Sequence, residues 1–155
     1  MGIDTSINTT RATRETLLDA SIQTGKSQCW IIIFLMKQMM KNHQKLGRAN
    51  RGVERQEVDE NEDWKALHIC VCPRDHDLFM DMKKFFKRTV SLLVAMAVGE
   101  LLEGLVRRIL ARKFDAYTDN YSFNNYFIIL QPLDGALCWK IFWGKPIDSS
   151  LLSPP

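Results

Sequence analysis

His68, Cys70, Cys72 and His76 are spaced as metal ligands on a strand followed by a turn. Alternate strand residues point to one side, so His68, Cys70 and Cys72 would share a face, and His76 could fold back after Pro73. Two imidazoles and two thiolates suit tetrahedral zinc. The spacing departs from the paired Cys-x2-Cys form, and the competing reading is a half-buried strand with an incidental histidine.

Ala20 to Ser27 (ASIQTGKS) meets the relaxed spacing of a phosphate loop, with Gly25, Lys26 and Ser27 as the nucleotide-binding residues. That chemistry needs backbone N–H groups wrapped round the phosphates, a lysine at their oxygens and a hydroxyl on Mg²⁺. The alternative is a helix stop and turn. Met1-Gly2-Ile3-Asp4-Thr5-Ser6 satisfies the acylation pattern at Gly2. A single myristoyl chain holds a bilayer weakly, so a membrane role would also draw on Lys37, Lys41, Lys45, Arg48 and Arg51. Lys83, Lys84, Lys87 and Arg88 surround Phe85 and Phe86, a pattern that could contact phosphate and stack on bases or sit at a lipid interface, but the favoured reading is inward-packing aromatics among wet lysines.

Catalysis finds less support. Cys29, Cys70, Cys72 and Cys138 could each meet one of three histidines. Nothing local fixes a base, an orienting carboxylate or an oxyanion hole, which weighs against an enzyme. The expectation is no resident cofactor, with zinc and nucleotide as the two alternatives.

These residues sit in a chain of 155, 46% hydrophobic and 25% charged, values of ordinary globular proteins. Charge falls in blocks: residues 26–55 carry seven basic groups and one acidic, 56–81 two and eight, and 82–113 eight and two. Such alternation favours pairing within the fold over one continuous basic face and is evidence against a nucleic-acid groove, so a nucleic-acid partner is not expected. No secretory leader pattern opens the sequence and no apolar run reaches the length of a membrane span, so the cytoplasm is expected, with a peripheral membrane position as the variant.

The expected fold is α+β, a helix-dominated single domain with a C-terminal β-hairpin. Residues 1–12 read as a flexible N-terminal segment, 13–147 as the domain and 148–155 as a flexible tail. No internal repeat is apparent. A short helix is expected over 13–22, capped by Thr13 or Thr16, and a helix over the ambiguous run 30–36. An exposed loop is expected at 46–61 and a short apolar segment at 64–71. A helical pattern covers 78–113 and breaks near Thr89. Tyr126 to Leu130 and Leu137 to Trp143 form the hairpin around an Asp-Gly turn, expected to cover one helix face.

At 100° per residue, Val98, Leu101, Leu102, Leu105 and Ile109 fall on one arc with Val106 and Leu110. That face is the expected docking surface for a protein partner. The functional expectation is a small non-enzymatic interaction protein, at a membrane surface in one version, with a phosphate-loop nucleotide-binding protein as the rival.

Overall fold

The structure is a computed structural model, and it describes residues 1–42, 47–48, 53–57, 59–112 and 126–143. Strand β1, Ile3–Thr9, opens the chain. Ile7 and Thr9 are buried while Asp4, Ser6 and Asn8 are exposed, the period-two alternation of a half-buried strand. The expectation of a flexible 1–12 is therefore corrected: Thr and Ile on alternate positions form a strand whose partner lies far along the chain.

Thr10 ends β1 and caps helix α1, Arg11–Thr24, its Oγ1 accepting the Thr13 N–H at 3.3 Å. The helix thus starts before both expected caps. Gly25, at φ 70°, stops it in the left-handed region that glycine enters without strain. Ser27 Oγ then accepts the Trp30 N–H at 3.1 Å, starting helix α2, Gln28–Asn42. The ambiguous run 30–36 is helical, as expected, and Ile31, Ile32, Leu35 and Met36 are buried.

Gly47–Arg48 form a short strand β2 inside the stretch expected to be loop. The described residues of 53–57 and 59–61 are otherwise extended or turn and mostly exposed. Strand β3, Lys65–Val71, pairs antiparallel with β1. Pro73 opens helix α3, Pro73–Phe86, at a position where its missing N–H costs nothing. The helical pattern therefore begins at Pro73 and not at Leu78. It breaks where expected: Lys87 adopts φ 56°, and Thr89 Oγ1 caps helix α4, Val90–Leu110, by accepting the Leu92 N–H at 3.3 Å.

The two βαα units repeat at a constant offset. Ser6 lies opposite His68 in the β1–β3 register, 62 positions on, and each of β1, α1, the left-handed residue and the start of α2 has its counterpart at that same spacing. Because Ser6 pairs with its own counterpart, a pseudo-twofold axis passes between the strands. The expectation of no repeat is corrected here. Between residues 3–42 and 65–104 just two identities fall at this offset, Ile7 with Ile69 and Asp19 with Asp81.

The core lies beneath one face of the β1–β3 ribbon. Ile7 and Ile69 descend into it, Leu17 and its counterpart Phe79 flank it, and α2 packs on α4 through its centre. Leu93, Val94, Ala97 and Val98 are buried, so the first half of α4 crosses the middle.

Beyond α4, strands β4, Tyr126–Leu133, and β5, Ala136–Trp143, form the expected hairpin. Asp134 at φ 49° and Gly135 at φ 78° make the two-residue turn that suits the twist of antiparallel strands. β2 joins the other edge of β5, giving the order β2-β5-β4. Among the described residues, α4 is covered mainly by α1 and α2, with β1 and α3 also packed against it. The molecule is a helix-dominated α+β fold with a C-terminal hairpin; the expected tail at 148–155 lies outside the described residues.

Candidate nucleic-acid interface

The outer face of the two-stranded ribbon is exposed and polar. It carries Asp4, Ser6 and Asn8 from β1 and Ala66, His68 and Cys70 from β3. At its centre Ser6 Oγ and His68 Nδ1 share a hydrogen bond of 2.8 Å, on the pseudo-twofold axis. Among the described residues, the helices pack against the opposite face, through Ile7, Thr9, Ile69 and Val71.

Each second helix hooks its first turn onto the strand of the other repeat. Ser91 Oγ accepts the Asn8 N–H at 3.0 Å, and Cys29, its counterpart, donates Sγ–H to the Cys70 carbonyl at 3.4 Å. The N-termini of α4 and α2 thereby stand at opposite ends of the ribbon. Both are reached through a three-residue turn of one design: a left-handed residue, a cation and a hydroxyl cap. These are Gly25-Lys26-Ser27 and Lys87-Arg88-Thr89. Lys26 Nζ lies 5.0 Å from the centroid of the Trp30 ring, and Arg88 Nε meets Glu54 Oε2 at 3.2 Å. The N–H groups left over at a helix start carry partial positive charge, and each of these two starts has a cation beside it.

This arrangement differs from the phosphate loop read at Gly25, Lys26 and Ser27. Residues up to Thr24 belong to α1, so their N–H groups are directed into a helix and cannot wrap a phosphate. Gly25 N–H donates to the Ser21 carbonyl at 3.0 Å, Ser21 Oγ–H donates to the Lys26 carbonyl at 2.6 Å, and Ser27 Oγ serves as a cap. A helix precedes the loop where a strand is required.

Of the zinc candidates, His68 and Cys70 do share the exposed face. Cys72 lies just before α3, where its Sγ–H donates to Asp75 Oδ2 at 3.2 Å, and half-buried His76 stands in the first turn of that helix. Among the described residues no three of His, Cys, Asp and Glu gather in a geometry that could hold an ion. Cys29 is part-buried nearby; burial, and then the Asp75 carboxylate with Cys70 and Cys72, pushes its thiol up from the ordinary value.

The expected docking face on α4 is largely spent inside the molecule. Val98, Leu102 and Leu105 are buried, and Leu101, Val106 and Ile109 pack against the core, leaving Leu110 exposed. What remains is a groove of about 750 Å³ between α1 and α4, with Thr13, Thr16 and Gln23 on one wall and Ala95, Gly99 and Val106 on the other. The repeat explains its existence. The counterpart of Gly99 is Lys37 and that of Thr13 is Asp75, and these two form an ion pair at 3.4 Å across the equivalent cleft. Glycine and threonine leave the first cleft open.

Gly2 sits against β3, where an added Cβ would run into Cys70 Sγ, so close packing gives this glycine a role apart from acylation. Among the described residues no helix is long and apolar enough to cross a membrane. The ribbon face escaped the sequence reading because its residues are small and polar; the signals that could have found it are the alternation of Ile and Thr over 3–9 and the parallel of Lys26-Ser27 with Arg88-Thr89. No family model, curated protein or solved structure matches the chain.

Proposed function

We propose that the protein binds double-stranded DNA, laying the β1–β3 ribbon in the major groove and anchoring the flanking phosphates at the two basic turns. The observation that carries this reading is the uncovered polar ribbon, set on a pseudo-twofold axis between two cationic helix starts. The B-DNA major groove admits a two-stranded ribbon, whereas the deep major groove of A-form RNA does not. Side chains of the ribbon's types have partners on base edges: Asn8 with adenine, Asp4 with the cytosine amino group, Ser6 with either kind of edge. Helix starts and cations position the duplex through phosphate without reading sequence.

A twofold protein matches an inverted repeat in DNA. Because the counterparts of Asp4, Ser6 and Asn8 in the second repeat are Ala66, His68 and Cys70, the favoured site is an imperfect inverted repeat. The block charges weigh against a continuous basic face, but this mode needs only two anchors. It also requires a compartment that holds DNA.

Anisotropy of a labelled duplex pool with a randomised centre tests the reading. Binding should weaken as salt rises, and Lys26→Ala should reduce the slope of log K against log salt by about one. No binding at low salt, or binding indifferent to salt, would contradict it.

The α1–α4 groove supports a second reading, closer to the interaction protein expected from the sequence: an amphipathic helix of a protein partner seated over Gly99. Gly99→Lys with Thr13→Asp, transplanting the ion pair of the closed cleft, should abolish such an interaction and leave DNA binding unchanged. Partner binding that survives this closure would remove it.

A further inference from the structure

The two anchors are not equally available. Residues 53–57, between the repeats, run beside the second turn: Glu54 N–H donates to the Lys87 carbonyl at 2.8 Å, and Thr89 N–H donates to the Glu54 carbonyl at 2.9 Å. The same residue sets its carboxylate on Arg88, and two positions on, Gln56 Nε2 donates to the Asn8 carbonyl at the end of the ribbon, at 3.1 Å. Among the described residues nothing comparable lies on the first turn, where no carboxylate pairs with Lys26. We infer that Glu54 occupies a phosphate site: its carboxylate stands in for a DNA phosphate at Arg88, so that the resting protein presents one open anchor and one self-occupied anchor. This rests on the DNA-binding reading above.

The chemistry fits replacement of one oxyanion by another. A carboxylate and a phosphate make the same charge-assisted bond to a guanidinium, and either can do so in bidentate fashion. The pair being displaced is weak. The Glu54 side chain is 54% exposed and that of Arg88 30%, so water and salt screen their attraction. Two backbone hydrogen bonds hold the Glu54 main chain in place, so its side chain can swing away without the stretch detaching. A duplex that engages Lys26 first would then compete for Arg88 at high local concentration. Entry of phosphate into the second anchor becomes a step that depends on the fit of the ribbon, and a poorly fitting sequence leaves Glu54 in place.

The test compares the full chain with Glu54→Gln, which keeps both backbone bonds and the side-chain volume, and with Arg88→Ala in each background, using the labelled duplex pool across a range of salt. Glu54→Gln should bind about three- to tenfold more tightly at low salt and steepen the log K against log salt slope by about 0.9, one additional phosphate neutralised. Arg88→Ala should cost little in the native background and undo the whole gain in the Glu54→Gln background. If the native protein binds, Lys26→Ala weakens it and Glu54→Gln changes neither affinity nor slope, the masked anchor is refuted while the DNA reading stands. Equal losses from Arg88→Ala in both backgrounds would refute it as well. Binding by Glu54→Gln alone would support it. Binding by none of the proteins would overturn the DNA reading and this inference together. Matching thermal transitions of the variants establish that each is folded.

Discussion

Cys29 illustrates how one position reports its surroundings. Packing in the first turn of α2 withdraws its thiol from water, and Asp75, Cys70 and Cys72 add negative neighbours that oppose ionisation. The thiolate is the nucleophile, so Cys29 should react with iodoacetamide more slowly than exposed Cys70 and Cys72, as read by peptide mass mapping at mildly alkaline pH. The sign for stability follows: the folded state holds the proton more tightly than the unfolded chain. The contribution of neutral Cys29 is fully present below the ordinary thiol range and is lost as pH rises through the elevated folded value. Labelling of Cys29 as fast as that of Cys70 would contradict this placement.

At the scale of elements, the two turns invite a direct exchange. Gly25 occupies the left-handed region freely, whereas its counterpart Lys87 does so at φ 56° with a side chain that disfavours it. Lys87→Gly should therefore stabilise the fold by about 1 kcal/mol, read as a higher urea midpoint with unchanged slope. An unchanged or lower midpoint would argue against the strained turn. Much at this scale was legible in the sequence. The break near Thr89 and the Asp-Gly hairpin follow from capping and turn chemistry that act over a few residues. β1 was not legible, because its alternation is written in Thr, Ser and Asn and its partner β3 lies 62 positions away at the centre of the register. Lys26 and Ser27 were misread for a related reason: the residue types of a phosphate loop also make a capped turn, and only the preceding helix separates the two. The α4 arc was correctly recognised as apolar, but sequence alone could not say that α1 and α2 of this same chain cover it.

For the whole molecule, the repeat means that neither βαα unit encloses its own core. Among the described residues β1 pairs with β3 alone, α2 packs on α4, and Asn8 and Cys70 hold the opposite second helix. Unfolding of the described helices should then be a single cooperative transition. Leu17→Ala, at a fully buried position, should lower that one transition by about 2–5 kcal/mol. Two separated steps in far-ultraviolet circular dichroism, with one insensitive to Leu17→Ala, would show the halves to be independent. The same interlocking leaves the polar ribbon face uncovered on the pseudo-twofold axis, and this is the feature on which the functional reading stands. Its most direct test is an amide NMR titration of the intact protein with duplex DNA. The expected result is that Asp4, Ser6, Asn8, His68 and Cys70 move together with Lys26 and the first turn of α2; shifts confined to the α1–α4 groove, or none at all, would contradict it.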